Sequence, residues 1–107
     1  MPKVAIWAEI EAKPGKETEV ENFLKSAQPL AENEPQTVTW YAMKLGGPKF
    51  GIFDTFADEK GREAHIQGEI AKALFGKGRE LLAKDPTIHK LDLIAAKVPG
   101  TAKASRA

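Results

Sequence analysis

The 107-residue sequence contains no cysteine. That excludes a disulfide framework, a thiolate zinc site, an iron–sulfur cluster and a cysteine nucleophile, so packing alone, within the chain or against a partner, must hold the fold. Charge of one sign is also missing. The 16 basic and 15 acidic residues leave a formal +1, which steers the chain neither to nucleic acid nor to an anionic membrane. No apolar run approaches membrane-spanning length, and the opening MPKVAIWAEIEA is too short and too charged for a signal peptide. The expectation is a cytoplasmic protein without nucleic-acid or membrane partners. Several site signatures are absent too. The two histidines show no metal-ligand spacing, and Ser26 and Ser105 lie in no nucleophile elbow. Gly46-Gly47 is followed by no helix and so is no phosphate loop.

What is present is an ordinary globular balance, 42% hydrophobic and 29% charged, in a length that suits one domain with one core. That domain is expected over residues 1–98, with the small polar residues 99–107 as a flexible tail. Lys3 to Ala12 alternates as a strand, with Val4, Ile6, Ala8 and Ile10 on one face and Ala5 and Trp7 on the other. Lys16 to about Ala31 carries apolar residues at helical spacing, with acids in its first turn and a kink expected at Pro29. Thr37–Leu45 and Lys49–Phe56 read as strands joined so closely that they must form an antiparallel hairpin. Asp58 is a suitable cap for a short helix ending before Gly68, and a longer helix is expected from there to about Lys84. Thr87–Val98 gives a last strand.

The order β-α-β-β-α-β is that of the ferredoxin-like α+β fold, a four-stranded antiparallel sheet with helices on one face. The other face would carry Trp7, Ile52, Phe56 and Ile94. So much exposed apolar surface is an aggregation hazard, and packing it against a second copy of the chain removes the hazard. The expectation is a homodimer with sheets face to face.

The stretch FGIFDTFADEKGREAHIQGEIAKAL, with EIEAKPGKETEVENFLKSAQPLAENEP and TVTWYAMKL, resembles the antibiotic-biosynthesis-monooxygenase superfamily of dimeric α+β barrels. The likeness covers roughly residues 3 to 98 and lies in the joint order of loose motifs: a PGKE-like turn, an acid-bearing apolar strand and an Ala-His pair on the second helix. The resemblance implies oxidation of an aromatic quinol or polyketide-like phenol by molecular oxygen, with no cofactor. Relatives in the superfamily bind and degrade haem, and others have no established reaction, so fold alone does not decide.

Asp54 shares a strand face with Ile52 and Phe56, assigned here to a pocket between subunits. Desolvated there, it could act as a general base; otherwise it is an acid at a wet strand end or paired with a lysine. His65 matches the family histidine and could accept a phenolic proton, or could be a half-buried packing residue. His89 reads as a surface residue. Trp7, Trp40, Tyr41, Ile52 and Phe56 are the expected pocket walls, although adjacent Trp40 and Tyr41 must face opposite sides. Phe56 stands where some family members carry tryptophan, which weakens a haem-degrading reading. A non-enzymatic dimeric ligand-binding or stress-associated protein and a haem binder are the alternatives to a cofactor-independent monooxygenase.

Overall fold

The computed structural model describes residues 2–99. Four strands, β1 (Val4–Glu11), β2 (Thr37–Gly46), β3 (Lys49–Phe56) and β4 (Thr87–Asp92), form one antiparallel sheet in the order β2-β3-β1-β4. Helices α1 (Glu17–Glu32), α2 (Glu59–Ile66) and α3 (Glu69–Phe75) cover one face, and a 3-10 turn at Lys77–Leu81 precedes β4. This is the ferredoxin-like arrangement. The hairpin between β2 and β3 closes on Gly46 and Gly47 at φ 112° and 56°, a region that side-chain-bearing residues avoid.

Registration decides which residues meet. Trp40, Asp54, Ile6 and Lys90 are successive partners across β2, β3, β1 and β4, so they form one rung on the helix-covered face. The next rung on that face joins Ala42, Ile52, Ala8 and Ile88. The open face carries Tyr41, Phe53, Trp7 and His89 as its matching rung. Ile52 and Phe56 are therefore buried under helices, contrary to the expectation that they line the open face with Trp7. Trp7 does lie on the open face, but Val4, Ile6 and Ala8 of the other β1 face are the partners of Phe56, Asp54 and Ile52, and a one-residue offset in register exchanges the faces.

Other expectations shift at element ends. The first helix runs through Pro29 to Glu32, and the Asn33 N–H still donates to the Pro29 carbonyl at 3.2 Å. The second long helix ends at Phe75, where a Cβ on Gly76 would lie 2.8 Å from the Lys72 carbonyl oxygen. Strand β4 stops at Asp92, opposite Val4 where β1 begins; Leu93 makes one further backbone bond, its N–H donating to the Lys3 carbonyl at 2.9 Å, and Ile94 is 99% exposed. Of the tail expected over 99–107, residues 100–107 lie outside the described residues.

The core sits between sheet and helices, with Ile10, Val20, Leu24, Phe50, Ile52 and Leu74 in its largest cluster. A smaller cluster joins Val4, Ile6 and Phe56, with Ile66 packed on it. Phe56 is completely buried. Phe56→Ala should lower unfolding free energy by about 3–5 kcal/mol, read from urea denaturation.

Candidate active site

Two titratable groups on successive elements, Asp54 of β3 and His65 of α2, meet between the sheet and the helix. Asp54 is central in β3 and 1% exposed, and His65 lies in the last turn of α2. His65 Nε2 is 2.9 Å from Asp54 Oδ2. The contact is a close approach and not a directed hydrogen bond, and among the described residues neither Asp54 oxygen has a hydrogen-bond partner in line. The other ring nitrogen, Nδ1, lies 2.7 Å from Glu34 Oε1 in a hydrogen bond. Glu34 Oε1 also accepts from the Thr37 hydroxyl at 2.7 Å, which fixes the carboxylate. The imidazole is held between two carboxylates, with the Phe56 ring 5.0 Å from its centroid.

Helix α2 is delivered to this position by local chemistry. The Asp58 side chain accepts from the Gly61 backbone N–H at 2.9 Å and caps the helix start. Arg62, buried, donates from Nη1 to the carbonyls of Ala5 at 3.3 Å and Leu91 at 3.1 Å, tying the helix to β1 and β4. Its other guanidinium arm pairs with Glu59. Gly68 allows the chain to pass close to Glu34, since a Cβ there would lie 3.2 Å from Glu34 Oε2.

Burial pushes the Asp54 carboxyl above its ordinary 3.8, and the neighbouring imidazole offsets only part of this. Burial pulls His65 down, but Asp54 and then Glu34 outweigh it, so the imidazole stands above its ordinary 6.5. Both groups hold a proton more tightly than free side chains do.

Asp54 and His65 face a cavity of about 220 Å³ between the sheet and α2–α3. Its walls are mainly apolar, with Ile6, Ile52, Ile66, Ile70 and Leu74 prominent, and among the described residues Lys90 is the one other charged residue in the lining. A larger groove of about 360 Å³ lies between α1 and β2, but Lys25 and Lys44 in it are both paired with Glu21. Among the described residues no three His, Cys, Asp or Glu side chains are grouped to hold a metal ion.

The structure sorts the sequence candidates. Asp54, His65 and Ile52 come together at the cavity, and Phe56 supports the His65 ring from behind. The placement of Asp54 in a pocket between subunits is corrected, because its rung lies under the helices of its own chain. Trp7 and Tyr41 lie on the open face, away from this cavity. Trp40 shares the Asp54 rung, but its ring packs against the cores beneath α1. His89 is exposed and meets Glu9 at 3.0 Å. Glu34, Arg62 and Lys90 were missed. Glu34 is a loop acid 31 residues from His65, and no spacing in the sequence signals that contact.

The chain is 49% identical to a protein of unknown function from Nitrosomonas europaea, covering 94% of this chain and 97% of that one at a TM-score of 0.91. A "putative antibiotic biosynthesis monooxygenase" from Caulobacter crescentus is 21% identical over 88% of this chain and 92% of that one, with a TM-score of 0.74. One from Chloroflexus aurantiacus with the same description is 13% identical, covering 92% and 99%, with a TM-score of 0.72. No protein-family model and no curated protein matches the chain.

Both shifted groups bind more protons in the folded state, so the stability they contribute is present below their unfolded values and is lost as pH rises through the folded ones. For His65 the loss begins near 6.5 and continues above it. Melting temperature should therefore fall with rising pH above 6.5, and His65→Gln should remove that limb in a thermal scan across pH. At 49% identity over almost its whole length, the chain belongs to the family of the Nitrosomonas europaea protein, on a ferredoxin-like fold shared with the two proteins described as monooxygenases.

Proposed function

We propose that the chain is a cofactor-independent monooxygenase that oxidises a small aromatic phenol or quinol with molecular oxygen in the Asp54–His65 cavity. One observation carries the reading: a buried carboxylate, without a directed hydrogen bond, faces an apolar cavity beside an imidazole made more basic by two carboxylates. Burying such a group is costly, and a substrate hydroxyl that donates to it offsets the cost. The solved structures described as monooxygenases lend support at the level of fold.

In this reading the substrate hydroxyl donates to Asp54, and its proton passes to the unit formed by Asp54 and neutral His65. The phenolate transfers one electron to oxygen, and the resulting ring radical and superoxide combine at a ring carbon that bears hydrogen. The peroxide takes back a proton. Loss of the ring hydrogen and cleavage of the O–O bond then release water and leave a carbonyl, so one oxygen atom enters the product and the other enters water. Exclusion of bulk water by the apolar walls protects the radical pair. At about 220 Å³ the cavity is smaller than the roughly 300–1,000 Å³ of sites for drug-sized ligands, which suits a compact substrate. A haem would have to take His65 Nε2 from Asp54, and that observation disfavours the haem-binding alternative.

The open face supports a homodimer, since Tyr41 is 56% and Leu91 37% exposed on the same side as Trp7 and Phe53. Sedimentation should give twice the 11.7 kDa of one chain, and Tyr41→Glu with Phe53→Glu should give a monomer. An oxygen electrode with a panel of quinols and anthrones should register uptake that rises with pH above 6.5, where His65 loses its proton. Asp54→Asn should lower the rate on the order of 10²-fold and move the limb to lower pH, because the strongest influence raising His65 is gone. Ligand-induced stabilisation without oxygen uptake would instead identify a non-enzymatic binding protein.

A further inference from the structure

We infer that the ligand of this cavity is a small hydroxyaromatic acid, its hydroxyl at Asp54 and its carboxylate at Lys90. The inference rests on the cavity being the ligand site and adds the chemical class of what it holds.

The polar groups around the cavity lie at opposite ends of one rung. Asp54 on β3 and Lys90 on β4 are both partners of Ile6 on β1, so they point to the same face two strand spacings apart. That is about 9.5 Å between backbones, from a spacing of about 4.7–4.9 Å per strand. Between them the floor is Ile6, with apolar residues of α2 and α3 above. A ligand filling this space needs an apolar body with a polar group at each end.

The chemistry of each end is also fixed. Asp54 is 1% exposed and, among the described residues, neither oxygen is in a directed hydrogen bond, so a hydroxyl that donates at the inner end of the ligand satisfies it. A simple fatty acid offers no donor there. At the outer end Lys90 pairs with Glu63 of α2 at 3.2 Å, and both side chains are about half exposed, 52% and 45%. Such a solvated pair contributes little, so exchanging Glu63 for a ligand carboxylate at an apolar rim is inexpensive. Lys90 also counters the repulsion that a second anion would feel from Asp54 and Glu34.

The test is calorimetric titration of the full chain with 4-hydroxybenzoate, 4-hydroxybenzamide, benzoate and decanoate. The hydroxy acid should bind about tenfold more tightly than its neutral amide, the discrimination of one charge-assisted contact. It should also bind more tightly than benzoate, which lacks the donor. Lys90→Met should abolish the preference for acid over amide. Glu63→Gln should raise affinity for the acid, since the competing carboxylate is gone, and controls for damage caused by Lys90→Met. Equal affinity for acid and amide, a preference that survives Lys90→Met, equal or tighter binding of decanoate, or no binding of the hydroxy acid would each overturn the assignment. Tight, Lys90-dependent binding with no oxygen uptake would uphold it and overturn the monooxygenase reading. Oxidation of neutral quinols with no preference for the acid would do the reverse.

Discussion

A carboxylate placed in the middle of a covered sheet has to be compensated, and much of this molecule is arranged around that demand. Asp54 occupies a position that alternation reserves for apolar residues, between Ile52 and Phe56 on the buried face of β3. Its near neighbour is an imidazole that faces a second carboxylate, Glu34, through its other nitrogen. The helix that carries His65 is capped by Asp58 and tied to the sheet through Arg62. Charge on β3 thus depends on a loop after α1 and on the placement of α2. Yet the compensation is partial, because neither Asp54 oxygen receives a directed hydrogen bond. Incomplete satisfaction of a buried polar group is where local rules yield to chemistry.

The two faces of the sheet differ in character. Its helix-covered face holds the core, the paired acids and the cavity, all within one chain. Its open face carries Trp7, Tyr41 and Phe53, with the Trp7 ring lying directly over Gly51, where an added Cβ would come within 2.3 Å of it. A residue of any larger size at Gly51 would displace the indole, so the shape of the open face is fixed by an absent side chain. The titratable cluster and the exposed aromatic residues thus lie on opposite faces of one sheet.

The cavity also shows how little polarity a small site needs. Three charged or titratable residues, Asp54, His65 and Lys90, stand in an otherwise apolar lining. Low polarity strengthens the interactions of each, since few competing dipoles surround them. A chain with a formal charge of only +1 can still present an anionic end and a cationic end within one cavity. Net charge describes the surface as a whole and carries no information about such a local arrangement.

Periodicity and turn chemistry in the sequence alone determined the strand and helix order, the tight hairpin at Gly46-Gly47 and the cap at Asp58, because these depend on neighbours a few residues apart. They also singled out Asp54 as an acid in an apolar strand and His65 as a histidine on the following helix. Tertiary structure decided the rest. Strand registration put Asp54 and Ile52 beneath the helices and left Trp7 and Tyr41 on the opposite face, a choice that a one-residue offset reverses. Chain folding brought Glu34 to His65 and Lys90 to the Asp54 rung, across separations of 31 and 36 residues, where no local pattern records the contact. Whether an acid in a strand is merely buried or belongs to a site depends on what distant segments place beside it.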